Sequence, residues 1–267
     1  MDNGHATLER QGRLSEPAKA AVTWTTAVAA LAAVALILAL ATLGAAGVGA
    51  VFDRAIGIHE PAAWPAGSLE SLTTTRLALF LFAFQAVTLA LVAAAARVFR
   101  RGGVPLLPLS MPPGGVATLI ASMIALVALA SAYGAVVFTV DRAALVADVK
   151  PFVELMRTRT WWLMLIAAAV GAPLAEEFLF RGFLFGVLRA SPVGLAGAML
   201  VTATFWAALH AQYSLYGLGA IFLIGVYLGW LRHKTGSLIA PMACHGVYNA
   251  LVVLALSAAP DTVFQAA

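Results

Sequence analysis

Three short stretches of this sequence hold polar groups amid long apolar runs. They are Glu176-Glu177-Phe178-Leu179-Phe180-Arg181, Trp206-Ala207-Ala208-Leu209-His210 and His245-Gly246-Val247-Tyr248-Asn249. Glu177 and Arg181 are four residues apart, so they share one helical face, with the acid leading, the favourable order for an ion pair. Glu176 lies about 100° round the same helix and has no partner of its own in the local sequence. An intramembrane carboxylate of that kind is a candidate base. His245 and Asn249 are again four apart, so both aim at one point, and both can donate hydrogen bonds. Trp206 precedes His210 by one helical turn and is expected to pack against it. Cys244, the single cysteine, adjoins His245, but neighbouring helical residues diverge by about 100°, so the two do not form a thiol–imidazole dyad.

The elements that must position these groups follow from composition. Of 267 residues, 62% are hydrophobic and only 10% are charged, and mean hydropathy is +0.94. A soluble fold has too few polar residues here to cover its surface. The chain is too apolar for disorder, and it lacks the alternating short segments of an outer-membrane barrel. The net charge of +4 comes from 16 basic residues scattered over short loops, with no basic stripe of the kind that binds nucleic acid. An all-α, polytopic transmembrane helix bundle is expected, within a lipid bilayer.

A span needs roughly 20 apolar residues. The uncharged gaps between Lys19 and Asp53, Arg76 and Arg97, and Arg101 and Asp141 are 33, 20 and 39 residues long. They place spans near 21–47, 77–97 and 115–138, the third after a Pro- and Gly-rich loop. The 42-residue gap between Arg189 and Arg232 would be about 63 Å as one helix. It must fold back, with the turn at Gln212-Tyr213-Ser214, giving spans near 193–210 and 215–232. A last span lies near 238–258. The segment 161–189 is apolar but interrupted by Glu176, Glu177 and Arg181. Gly171 and Pro173 mark a kink or break there. Seven spans result, or eight if that segment is two helices.

The stretch 141–159 mixes basic and acidic residues and reads as an interfacial helix. With the N-terminus inside, inner segments hold nine Lys and Arg and outer segments six, so the bias places the N-terminus in the cytoplasm and the C-terminus outside. The organisation is then a cytoplasmic segment 1–20, motif-free transmembrane helices over 21–159, a core carrying the motifs over 160–258 and a tail 259–267.

Among membrane proteases, the His-Glu-x-x-His zinc motif and a Gly-x-Gly-Asp signature are absent from the sequence, and Gly236-Ser237 lacks the surroundings of an intramembrane serine protease. What remains is glutamate, two histidines and an asparagine. Glu176-Glu177-x-x-x-Arg181, the aromatic-x-x-x-His of 206–210 and His245-x-x-x-Asn249 resemble the three motifs of the type II CAAX prenyl protease and bacteriocin-processing family of intramembrane endopeptidases, often named metalloproteases. The lead-in from Arg232 to Pro241 is similar to that family's approach to its last motif. The family's second motif usually starts with Phe where this chain has Trp206.

The resemblance implies that Glu176 and His210 activate a water for attack on a peptide carbonyl. It also implies that His245 and Asn249 donate to the oxyanion, and that Glu177 and Arg181 hold the helix, with Trp206 as a packing residue. Glu176, His210 and His245 are equally a zinc-type ligand set with a fourth position for water, so a divalent metal stays an open cofactor. The implied partner is a membrane-embedded or membrane-proximal peptide or protein, with no nucleic acid, and the implied location is a bacterial inner membrane. The competing classes are a non-catalytic immunity or scaffold protein and a small transporter, since a transporter also holds buried Glu, His and Arg.

Overall fold

The computed structural model of the protein describes residues 22–56, 68–99 and 106–259. The expected cytoplasmic segment 1–20 lies outside these residues, as does the tail beyond Ala259. Among the described residues there are eight helices and no strand: α1 Trp24–Ile56, α2 Ser68–Val98, α3 Gly115–Val140, α4 Arg142–Met156, α5 Trp161–Ala190, α6 Gly194–Ala208, α7 Leu215–Thr235 and α8 Ile239–Ala258.

The burial pattern is that of a bundle in lipid. Leu43 is 68% exposed and Ile124 65%, while Glu177 and Arg181 are both 0% exposed. Large apolar side chains face out and these two charges face in, which lowers free energy only where the surroundings are hydrocarbon. Six helices are long and apolar enough to cross a membrane: α1, Leu72–Val98 within α2, α3, α5, α7 and α8. The seventh expected span, α6, is apolar but has 15 residues, about 22 Å of helix. The turn between α6 and α7 falls over 209–214, where Gln212-Tyr213-Ser214 places it.

Packing follows small residues. The buried face of α1 is Ala27, Ala30, Val34, Ile37, Ala41, Ala45 and Gly49, a stripe at helical spacing that lets α2 approach closely. The loop before α3 is anchored inward. Leu106 and Leu107 seat against Gly182 and Gly186 of α5, and Leu238 donates its backbone N–H to Pro108 O at 2.9 Å. The stretch 141–159 is mostly α4, capped by the Asp141 carboxylate, which accepts from Ala144 N at 2.9 Å, and α4 packs against α3, α5, α7 and α8.

The expected break at Gly171–Pro173 is corrected. The run Trp161–Ala190 is one continuous span, so the reading of two separate helices there does not hold. The strain is absorbed by wider, π-helical stretches over Ala167–Gly171 and Phe178–Leu184. Pro173 has no N–H to give, and the widened turn re-pairs the backbone: Ala172 N–H bonds Ala167 O. Neighbouring helices satisfy the loosened carbonyls. Gln85 Nε2 of α2 donates to Ala167 O at 3.0 Å, and Asn249 Nδ2 of α8 donates to Ala168 O at 2.9 Å. Gly246 supplies the clearance, because a Cβ there would stand 2.6 Å from Ala169 O.

That clearance is testable. In a helix interior Gly→Ala normally stabilises by about 1 kcal/mol. Gly246→Ala should instead lower the thermal unfolding midpoint in detergent, because the new methyl pushes α8 off the widened turn. A midpoint equal to or above the wild type would show that α8 does not rest on Ala169.

Candidate active site

The three motifs come together where α5, α6 and α8 meet. Arg181 Nη1 donates to Glu177 Oε1 at 2.8 Å, one helical turn apart, and both side chains are fully buried. The same oxygen lies 3.0 Å from His245 Nδ1. A carboxylate already paired to a guanidinium accepts, so His245 Nδ1 carries the proton and donates. Arg181 Nη2 reaches on to Gly225 O of α7 at 3.2 Å. That carbonyl is reachable because α6 and α7 touch: a Cβ on Gly225 would meet Trp206 Cε3 at 3.0 Å. Glu177 thus joins α5 to α8, and Arg181 joins α5 to α7.

Trp206 sits at the centre. Its indole lies under the Arg181 guanidinium, with Cζ 4.5 Å from the ring centroid, a contact in which a desolvated cation is held by the ring's negative face. The His210 and His245 rings meet it edge-on, at 5.6 Å and 5.3 Å between centroids. Its Nε1 donates to Glu176 Oε2 at 2.5 Å. Glu176 is therefore not without a partner, contrary to the reading from its own helix. The donor comes from α6, 30 residues further along, and no spacing rule connects the two. A phenylalanine at 206 would leave this carboxylate without that bond.

His210 Nδ1 lies 2.9 Å from Trp206 O, and a carbonyl only accepts, so this nitrogen also carries its proton. In both histidines Nε2 is left as the second ring nitrogen. His210, His245 and Asn249 line one cavity of about 260 Å³ with Trp206. His245 and Asn249 do not converge on one bond: His245 Nδ1 is turned to Glu177, and Asn249 gives one amide hydrogen to Ala168 O. They border the same space from one face of α8.

Glu176, His210 and His245 do not assemble as a metal ligand set. Among the described residues no group of three or more His, Cys, Asp and Glu could hold an ion, and the carboxylate bonded to His245 is Glu177.

The far wall of the cavity is α4, which spacing did not connect to the motifs. Asp148 Oδ1 and Oδ2 accept from Ser214 N and Oγ at 2.6 and 2.7 Å, pinning α4 to the turn that follows His210. Phe152 stacks on Tyr213 at 6.0 Å. Burial, with the Asp148 carboxylate beside it, pushes the Tyr213 phenol up to about 12, so it stays a neutral hydroxyl at ordinary pH. The only signal in the sequence was a mixed-charge helix beside an apolar bundle, which says amphipathic and nothing about which site it covers.

A comparison with protein families bears on this segment. Residues 158–251 match the Rce1-like family, described as type II CAAX prenyl endopeptidase Rce1-like. The three motifs that carry the resemblance lie within the matched residues. This Rce1-like segment begins just before α5 and ends within α8. An uncharacterized 24.3 kDa protein of Escherichia coli is 36% identical over 86 residues, which are 31% of this chain and 39% of that protein. The similarity therefore covers well under two thirds of that relative's length. No solved structure matches the chain.

The Glu177–Arg181 pair is predicted to hold the Rce1-like segment together. Arg181→Met should strip Glu177 of its counter-charge and destabilise by about 3–5 kcal/mol, as loss of one buried partner does. Adding Glu177→Gln to that variant should recover part of the loss. Equal unfolding midpoints for wild type and Arg181→Met would show that the pair carries no weight.

Proposed function

We propose that this chain is an intramembrane endopeptidase that hydrolyses a peptide bond in a membrane-embedded or membrane-proximal substrate, with 160–258 as its catalytic core. The observation that carries the reading is the cluster around Trp206, which gathers Glu176, His210 and His245 about one indole, with the two histidines lining one cavity. The Rce1-like match over the same residues supports it.

In this reading a water lies between Glu176 and His210. The Glu176 carboxylate takes its proton as the oxygen attacks the peptide carbonyl, and His210 Nε2 orients the water. His210 is held in the right tautomer by its own helix, through Trp206 O. The Trp206 N–H keeps Glu176 aimed. Negative charge then gathers on the carbonyl oxygen. His245 donates to that oxygen from Nε2 while Nδ1 stays on Glu177, and Asn249 gives the amide hydrogen not used on Ala168 O. Collapse of the tetrahedral intermediate breaks the C–N bond, and the proton on Glu176 passes to the leaving amine. The walls supplied by Val149, Phe152, Ile221 and Val252 suit apolar substrate side chains. No step is routed through a metal.

Two substitutions test the roles. Glu176→Gln keeps an acceptor for the Trp206 N–H but cannot take a proton. It should reduce cleavage of a fluorogenic peptide set by about 10²–10⁴, with the unfolding midpoint held. Cleavage at the wild-type rate would remove Glu176 as the base. Asn249→Ala should lower kcat by about 10²–10³, as loss of an oxyanion donor does, with KM little changed because the donor acts once charge has developed. It should also lower stability by about 1 kcal/mol for the lost bond to Ala168 O. A rise in KM alone, with kcat unmoved, would assign Asn249 to substrate binding instead.

A further inference from the structure

The lead-in to the last motif carries charge that the reaction above does not use. Arg232, His233 and Lys234 occupy the last turn of α7, and Arg189 the last turn of α5. Cations are favoured at helix C-termini, and that accounts for Arg189 and Lys234, which are exposed. It does not account for Arg232. That side chain is 6% exposed, and its Nε is sealed from solvent without an acceptor, as is Nδ1 of His233. The charges that act on them are of like sign: Arg189 on both, and Lys234 on His233. Among the described residues none of these four side chains makes an ion pair or a hydrogen bond. A buried guanidinium pressed by a second one, with no acceptor, lacks a counter-ion.

We propose that Arg232, His233 and Arg189 form a binding site for a phosphate-bearing anion, the headgroup of an acidic phospholipid. A phosphate offers several acceptor oxygens to the outer nitrogens of the Arg232 guanidinium, which unlike Nε are not sealed, and to the His233 ring, and a planar guanidinium matches it well. The position of the cluster favours a lipid source. It lies at the end of the bundle where α5 and α7 finish, beside the anchored 106–110 loop: Leu106 packs on Gly186, and Leu238 just after the cluster bonds Pro108 O. The end of α2 reaches the same region, with Phe99 edge-on to Phe183 at 5.1 Å. This is the end to which the Lys and Arg bias assigns the cytoplasm, and acidic lipids are concentrated in the cytoplasmic leaflet. The site is remote from the Trp206 cluster in chemistry and does not depend on the chain being a protease.

The test uses the full chain in detergent, titrated with phosphatidylglycerol, phosphatidylcholine or inorganic phosphate while thermal unfolding is followed. Phosphatidylglycerol should raise the midpoint by several degrees over phosphatidylcholine. Arg232→Gln should abolish the difference, and Arg189→Gln, at an exposed position that folding tolerates, should weaken the apparent affinity about fivefold, the value of one basic residue near an anionic surface. An equal rise with inorganic phosphate would support the anion site and assign it to free phosphate. A wild type that does not distinguish the two lipids overturns the proposal; this is also the outcome expected if a carboxylate of the same chain fills the site. An undiminished phosphatidylglycerol effect in Arg189→Gln overturns it too, even if Arg232→Gln fails to fold.

Discussion

A carboxylate and a guanidinium buried together inside a membrane bundle set the terms for the rest of this molecule. Each of them alone in hydrocarbon is strongly unfavourable. Glu177 and Arg181 are tolerated because they are paired on α5 and because three adjoining helices each contribute a partner. Trp206 of α6 lies against the cation, Gly225 of α7 offers a carbonyl, and His245 of α8 donates to the carboxylate. The pair is therefore a junction. Four helices are brought into register by the need to satisfy these two groups.

The backbone of α5 yields where it must. A proline and a glycine in the middle of a long apolar helix could have split it. Instead the helix widens twice, and carbonyls freed by the first widening become acceptors for Gln85 and Asn249. Irregular backbone at membrane depth is stable only where protein covers it, and here α2 and α8 do so. The second widening contains Arg181 and directly follows Glu176 and Glu177. A π-helical turn shifts which side chains share a face, so the two acids and the cation reach different neighbours from adjacent positions.

The cavity is a consequence of those attachments. His210, His245 and Asn249 each use one polar atom on the scaffold and border the cavity. That arrangement is what a preorganised site needs: groups at the cavity locked by a bond to the scaffold. The amphipathic α4 closes the other side, tied by Asp148 to the turn that follows His210. Its Leu145, Val149, Phe152 and Met156 form that wall.

Much of this was legible in the residues themselves. Composition and the uncharged gaps determine a helical membrane bundle, because a charge costs so much in hydrocarbon that charged positions mark the span ends. The i, i+4 spacing pointed to the Glu177–Arg181 pair and the Trp206–His210 contact, since residues four apart stay neighbours even where the helix widens or ends. The three motifs determine the family resemblance. Tertiary structure alone decided the rest. Glu176 has a partner on α6, His245 belongs to Glu177, Asn249 is tied to Ala168, α4 walls the cavity, and α5 bends its hydrogen bonding without breaking. Each of these depends on groups far apart in sequence meeting across helix interfaces, and helix periodicity orients a side chain about its own axis only. Which helix stands opposite is chosen by the packing of small residues and by the demand that every buried polar group find a partner.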